Sequence, residues 1–414
     1  MMTASPNISL FNRYVDLDRQ VMADTSAMFD QLNSDRPMFW CDQLNAWVIS
    51  RYEDVVLVSK DTARFVNGRV GMYRQLLGDD VYNRVRPMIE MLSMFLGMAD
   101  PPHHTRLRGL VRLAFTPRMI ERMRPVTQRI ADDLLDTIED RGEKQFDFVA
   151  DFTAPLPARV IVAMLAMPEK DLAIFKKWAS DFSNFVGAAA PTPEAALQAK
   201  RSLLDEAVAY FAVMIEQRRR HPGDDLISAL VQAHDEGDKL NEKEIVGTLL
   251  SLLIGGHETT QNFISNALIC LDRHHDQFEQ IKSDRSLLDG ALEEVLRYES
   301  PQFRQVRIAA QDVTMHGQTI KQGQSIFVAL AVANRDPAVF DRCHEFDIRR
   351  SPNKHVAFGI GPHFCIGSLL TRIEAHVAIT AVMDRLPAIQ VVDRQIDWRP
   401  LVNMRGPLSL QVSY

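Results

Sequence analysis

The sequence predicts a mainly α fold of the α+β kind, a large helical domain with a smaller β-rich region. Three observations carry that prediction. Residues 119–236 read as a run of amphipathic helices, residues 241–271 as one long apolar helix, and β-patterned runs gather at 36–60 and 301–350. The 414 residues are 46% hydrophobic, enough for a large core. Length alone admits two or three domains. A single large domain over residues 1–414 is also allowed, and no internal repeat or low-complexity tract is visible.

Taken in order, a short tail leads into a helix over 23–32. Phe39-Trp40 and Ala46-Trp47-Val48-Ile49 flank the polar turn 42–45 and read as a β-hairpin, with a helix over 52–59 after it. Between 65 and 98 the pattern is less regular. Met88, Met91, Met94 and Met98, with Leu92 and Phe95, recur there at helical spacing. That spacing is a core signature. Methionine also suits an adaptable apolar pocket, so Met88, Met91, Met94 and Phe95 stand as substrate-contact candidates. Pro101-Pro102 sets the start of a helix on which His104 and Arg108 share a face; read alone, such a pair is a solvated face. Phe115-Thr116-Pro117-Arg118 restarts a helix. Polar breaks at 187–192 and 222–225 divide the amphipathic run, and Gly255-Gly256 interrupts the apolar helix. Beyond Pro301 the chain turns to strands at 306–309, 313–315 and 325–333, and a last helix runs over 368–384.

The 47 basic and 54 acidic residues leave a formal charge of −7, and no basic domain appears, which argues against nucleic acid as a partner. The densest basic cluster, Arg218-Arg219-Arg220, reads as a solvated last helical turn. Cys41, Cys270, Cys343 and Cys365 are scattered with no C-x-x-C pair, which disfavours a zinc ribbon or iron–sulfur cluster and fits a reducing compartment. Residues 1–20 lack the apolar core of a signal peptide, and no stretch approaches the roughly 18 apolar residues of a membrane span. The expectation is a cytoplasmic, soluble monomer.

The chemistry gathers at Phe358-Gly359-Ile360-Gly361-Pro362-His363-Phe364-Cys365-Ile366-Gly367. Its glycines allow close approach to the main chain. Cys365 stands just before a helix N-terminus, whose field favours a thiolate, a good axial ligand for haem iron. An isolated cysteine of this kind would read as a small buried hydrophobe. A second constellation, Gly255-Gly256-His257-Glu258-Thr259-Thr260, lies inside the long helix. Paired glycines cost roughly 1 kcal/mol each there, and threonine hydroxyls can return to the i−4 carbonyl and loosen the ladder. A groove beside a carboxylate and an alcohol results. Glu294 and Arg297 form an i, i+3 pair, common on helix surfaces.

The pattern Phe-x-x-Gly-x-His-x-Cys-x-Gly resembles the haem-binding signature of the cytochrome P-450 family, and Gly255-Gly256-His257-Glu258-Thr259 resembles its oxygen-binding motif. The resemblance runs nearly end to end, from Arg51-Tyr52-Glu53-Asp54-Val55 to the last helix, and is strongest toward soluble bacterial members. It implies haem b (iron protoporphyrin IX) ligated by Cys365, with Phe358, Gly359 and Gly256 against the cofactor and His104, Arg108, Arg307 and His363 toward its propionates. It further implies Thr259 and Glu258 as the proton-delivering pair, and a buried network of Glu294, Arg297 and Arg350. Ala333-Asn334-Arg335-Asp336-Pro337 also matches. Thr371 departs from the family, whose members often carry alanine there. The implied activity is a monooxygenase placing one atom of O2 into a small to medium apolar substrate of secondary metabolism, by hydroxylation or epoxidation. That substrate is free or carrier-bound. The short stretch after Cys365 leaves no attached redox domain, so a ferredoxin or flavodoxin with its reductase is the expected electron source, docking on Arg106, Arg112 and Arg372. Leu252, Phe303 and Arg304, with residues 182–186 and 302–306, complete the candidate pocket. A peroxide-driven haem-thiolate enzyme and a non-catalytic P-450-like binding module remain as alternatives; Glu258 with Thr259 argues against the first, and Cys365 against the second.

Overall fold

The computed structural model describes residues 9–34, 38–68, 70–187, 192–235, 238–393 and 395–414. Where the sequence suggested a tail, it has two short helices, α1 (Ser9–Val15) and α2 (Arg19–Ala23). Asp18 caps α2 by accepting from the amides of Gln20 and Val21. The helix expected over 23–32 is instead α3 (Ser26–Ser34), because Asp24 turns aside and accepts from the amide of Ser26. The expected hairpin is β1 (Met38–Cys41) with β2 (Ala46–Ile49), paired so that Phe39 faces Val48. Its turn places Asn45 at φ 47°, a left-handed conformation asparagine tolerates.

Next come α4 (Tyr52–Lys60), β3 (Phe65–Val66) and α5 (Val70–Leu92), the last broken at Gly78, where φ is 71°. The helical body follows: α6 (His103–Ala114), α7 (Pro117–Glu121), α8 (Met123–Asp140), α9 (Pro155–Met164), α10 (Leu172–Gly187), α11 (Pro193–Lys200), α12 (Val208–Arg220) and α13 (Leu226–Gln232). Short strands β4 (Gln145–Asp147), β5 (His234–Asp235) and β6 (Asp238–Lys239), which the sequence reading did not expect, interrupt it. Thr116, Thr192 and Asp225 cap three of these helices. The break expected over 187–192 lies mostly outside the described residues.

The long apolar helix is in fact two, α14 (Glu242–Gly255) and α15 (Glu258–Arg273). Asn241 and Glu244 start α14 with a reciprocal capping box. After α16 (His275–Ser283) and α17 (Leu288–Tyr298) come β7 (Gln305–Ala309), the hairpin β8 (Val313–Met315) and β9 (Gln318–Ile320), and β10 (Ser325–Val328). The strand expected over 325–333 stops at Val328, and the chain turns into α18 (Leu330–Ala333). The last helix is α19 (Ser368–Arg385), followed by β11 (Gln390–Val391) and β12 (Gln411–Ser413), and β12 pairs with both β11 and β4.

One five-stranded sheet has the order β1-β2-β10-β7-β3, with β10 parallel to β2 and antiparallel to β7. Alternation along β10 puts Phe327 among Phe11, Tyr14 and Phe303 on one face, and Ile326 and Val328 with Trp47 and Phe65 on the other. A larger apolar core unites the helices. The cavity of interest lies within that helical core, walled at one end by the start of β7. Among the described residues, no helix is long and apolar enough to cross a membrane.

Candidate active site

The cysteine loop is held by one bond from outside and two across its own span. Asn334 Oδ1 accepts from the amide of Val356 at 2.7 Å, the amide of Cys365 donates to Phe358 O at 2.9 Å, and the amide of Phe364 donates to Gly361 O at 3.0 Å. Gly359 and Gly361 sit at φ 71° and 80°, which other residues rarely adopt. Behind the loop, Glu294 and Arg297 are fully buried and joined by two bonds of 2.8 Å. Arg350 Nε, the amide of Asp347 and Asn353 Nδ2 also donate to the Glu294 carboxylate. Arg297 spends its remaining donors on the carbonyls of Asn334, Cys343 and Glu345. Every charge in this network is answered, as burial at zero exposure requires.

Cys365 faces a cavity between this loop and the break separating α14 from α15. Phe358, Cys365, Ile366 and Gly367 form one wall, and Leu252, Gly255, Gly256 and Thr259 face it. Thr259 Oγ1 donates to Gly255 O at 2.7 Å, so the hydroxyl competes with the main-chain ladder at the break. A Cβ at Gly256 would crowd this wall, standing 2.7 Å from Ile161 Cδ1 and 3.0 Å from Leu252 O. Burial pushes the Glu258 carboxyl up, against a hydrogen bond from Ser183 and the charge of Arg399. Burial also pushes the Cys365 thiol up, despite the Gly367 amide and the Arg108 and Arg372 charges. The thiolate expected from a helix N-terminus is therefore not favoured by the loop alone: α19 begins three residues later, and desolvation outweighs its field. A bound metal ion would displace that proton.

The histidines and arginines converge on one flank. His104 is 1% exposed, its ring lies 3.9 Å from that of His363, and neither of its nitrogens has a hydrogen-bond partner among the described residues. Burial and the Arg108 charge hold it down at about 4, so it is neutral. His363 is held at about 3 by burial and by His104, and its Nε2 is 2.8 Å from Asn67 Nδ2. Arg108 donates to Phe364 O, while Arg307 donates to Val306 O and to Gln305 Oε1.

These features fit a haem. A thiol opens on a cavity whose far wall is relieved by Gly256, and Gly359 leaves a space where a Cβ would meet Gln305 Nε2 at 2.7 Å. A buried imidazole with no hydrogen-bond partner among the described residues stands beside two guanidinium groups, a setting suited to carboxylates. No cluster of His, Cys, Asp and Glu among the described residues offers a separate metal site.

The substrate candidates fare differently. Leu252 lines the cavity. Met88 and Phe95 do not: they are buried in the helical core, with Phe95 against Phe182. Met91 packs on that core, and Met94 follows the end of α5 and lies against α14, where a Cβ at Gly247 would stand 2.8 Å from Met94 Cβ. Phe303 is fully buried, stacked on Tyr14 at 4.6 Å, and Arg304 lies over Phe327. Met88, Leu92 and Phe95 lie in the core, as their spacing allowed. From these segments the cavity takes Leu96, Gly97, Gln302 and Gln305 instead. Thr248, Ser251, Thr260, Thr371 and Glu374 also line it and were missed. Positions 248, 251, 252, 255 and 259 follow one helical face, so the periodicity through Thr259 was the signal that could have found the first two.

The family model of cytochrome P450 matches residues 47–395. A biotin biosynthesis cytochrome P450 of Bacillus subtilis is 35% identical over 390 residues, covering 94% of this chain and 95% of that protein. The mycinamicin IV hydroxylase/epoxidase of Micromonospora griseorubida is 37% identical over 371 residues, covering 89% of each. Among solved structures, P450BioI in complex with hexadec-9Z-enoic acid ligated acyl carrier protein superposes with a TM-score of 0.86 at 33% identity, over 96% of this chain and all of that one. Likeness of this extent, around a cavity that gathers the cysteine, the threonine and the histidine–arginine flank, shows that the chain belongs to the cytochrome P450 family of haem monooxygenases.

Proposed function

We propose that this protein holds haem b through Cys365 and oxidises a medium-sized apolar substrate of secondary metabolism by hydroxylation or epoxidation, with electrons from a separate ferredoxin or flavodoxin. The observation that carries the reading is the single cavity with Cys365 on one wall and Thr259, beside the half-buried acid Glu258, on the other. The haem, when bound, supplies the activation of O2, and thiolate ligation favours O–O cleavage. The chain's own residues do the rest. His104, Arg108, Arg307 and His363 hold the propionates. The Thr259 hydroxyl, now on Gly255 O, can turn to hold dioxygen or water. Glu258, raised toward its neutral form, brings protons from the side of Ser183 and Arg399. Leu252, Ile161 and Met164 exclude water and present an apolar face, on which Thr248, Ser251 and Gln302 are the polar contacts.

The relative solved with an acyl-loaded carrier protein supports a carrier-bound acyl chain as one form of the substrate. For the redox partner, the ion pairs of the expected patch favour one of its three arginines. Arg106 is engaged by Asp238 and Glu244, and Arg372 by Glu293. Arg112 is exposed and lies near exposed Leu113, on the helix whose Arg108 holds the backbone of exposed Phe364. An acidic partner with an apolar centre suits that face. The deciding experiment is the reduced carbon-monoxide difference spectrum of the purified, haem-loaded protein and of Cys365→Ser. The proposal expects the red-shifted Soret band of thiolate-ligated haem in the first and its loss in the second; absence from both would overturn it.

A further inference from the structure

A second hollow, of about 340 Å³, shares no residue with the catalytic cavity. It lies where the turn between α2 and α3 meets the C-terminal ends of α15 and α17 and the residues after α18. Asp24, Arg273, Glu299, Arg335 and Arg405 line it, so three cations face two anions. The two inner arginines are each 4% exposed. Arg405 has its anion: Nε donates to the Glu299 carboxylate, and Nη1 donates to Met22 O at 2.5 Å. Arg335 has none. Its Nε and Nη2 both donate to Tyr298 O, and it makes no ion pair among the described residues. A buried charge without a counter-ion is costly. Ring faces hold both guanidinium planes, Arg335 at 3.8 Å from the Tyr298 centroid and Arg405 at 3.7 Å from that of Trp398. Arg335 Nη1 and Arg405 Nη2 make no hydrogen bond among the described residues, so each fork keeps a donor for the hollow. Hydrogen bonds from Ser26 hold the Asp24 carboxyl below its usual range despite some desolvation, and the Arg335 and Arg405 charges act the same way. Arg273, the third cation, is exposed and also makes no ion pair among the described residues.

The chain ties this hollow to the catalytic cavity. Residues 299–305 are laced to 403–405: the amide of Arg405 donates to Pro301 O and the amide of Phe303 to Asn403 O, each at 2.9 Å. Asn266 Nδ2 donates to both Glu299 O and Arg405 O. On this ladder Glu299 and Arg405 enter the hollow, while Pro301, Gln302 and Gln305 enter the catalytic cavity. An oxyanion that takes up Nη1 of Arg335 and Nη2 of Arg405 competes with Glu299 for Arg405, and Glu299 leads directly into the wall. We propose that the hollow is an effector site for a small oxyanion, a phosphate or a dicarboxylate, which gives Arg335 a counter-ion and adjusts the wall formed by Pro301, Gln302 and Gln305. Guanidinium forks suit both groups, since each offers paired oxygens to two N–H donors. The binding claim is independent of the haem reading; its coupling to the cavity rests on that reading.

Calorimetric titration of the haem-loaded full chain at fixed ionic strength tests the site, with inorganic phosphate in one arm and succinate in the other. One saturable site is expected, and the tighter arm names the class. Arg273→Ala is expected to weaken binding and Asp24→Asn to tighten it, each by roughly two- to fivefold, as for exposed charges. Arg219→Ala, the same loss of charge outside the hollow, should change nothing. Arg335→Gln is expected to abolish binding; should that variant not fold, the exposed Arg273 and Asp24 still decide. No saturable heat in either arm, or an affinity that Arg273→Ala and Asp24→Asn leave unmoved, overturns the site. Coupling is read from the Soret shift as phenylimidazole, neutral in mildly alkaline buffer, fills the catalytic cavity. Its Kd is expected to change by about fivefold in saturating anion, and the anion's Kd by the same factor in saturating phenylimidazole. Kd values unchanged in both directions overturn the effector role. If no Soret band forms, the haem reading is what fails, and calorimetry on the haem-free chain still decides the site.

Discussion

At the scale of single residues, charge burial is what this fold handles most strictly. Glu294 and Arg297 have no exposure, and the carboxylate is met by two guanidinium groups, an amide and a side-chain amide. Replacing one partner leaves the other charged and dry. Glu294→Gln is therefore expected to destabilise the protein by about 3–5 kcal/mol, because Arg297 then has no anion. Arg350→Ala should lose less, about 1.5–3 kcal/mol, since Arg297, Asp347 and Asn353 still hold the carboxylate. Urea unfolding of the haem-loaded variants measures both, and equal losses would show that Arg350 is no accessory. Its spacing alone marked this pair only as a common i, i+3 pair, and the buried network with Arg350 came from the resemblance to the family. What makes it a core network is the return of residues 343–353 to the same helix, which local pattern does not encode.

At the scale of elements, the break between α14 and α15 governs the cavity. Gly255-Gly256 announced an interruption, because that signal acts within a few residues. The sequence did not reveal that His257 would be the buried joint. Its Nε2 lies 3.1 Å from Ala154 O, where only a protonated nitrogen can bond, and its ring meets Phe175 edge-on. Burial, opposed by that bond and aided by the Lys176 and Arg399 charges, holds it at about 4 instead of 6.5. The folded form thus binds its proton later than the unfolded chain as pH falls. The neutral joint contributes fully above pH 6.5, and the contribution is lost as pH drops toward 4. Its size is about 3 kcal/mol. Stability measured against pH should fall across that window in wild type and more shallowly in His257→Asn. Parallel curves would remove His257 as the cause.

At the scale of the molecule, the legible parts were those whose reasons are local: the hairpin, the glycine-punctuated cysteine loop and the balance of helix over strand. The rest depends on distant partners. β2 and β10 pair in parallel, Ala46 beside Ser325, and no pattern in either strand names the other. Likewise Met88 and Phe95 have the composition of a pocket wall and the position of a core, and only the packing of α5 against its neighbours decides between them. The same long-range assembly yields a last prediction. The candidate haem residues come from α6, the α14–α15 break, β7 and the loop before α19, so the cofactor would join four parts that otherwise meet around a cavity. A ligand that binds only the folded chain stabilises it by RT ln(1 + [L]/Kd), about 4 kcal/mol at a thousandfold excess over Kd. Haem-free protein should therefore unfold at lower urea than haem-loaded protein. Its amide exchange should quicken most at 356–367 and 103–108, where buried His104 lacks a hydrogen-bond partner among the described residues, and least in β1 and β2, which do not line the cavity. Uniform quickening would mean that the whole chain, and not the site, depends on the cofactor to fold.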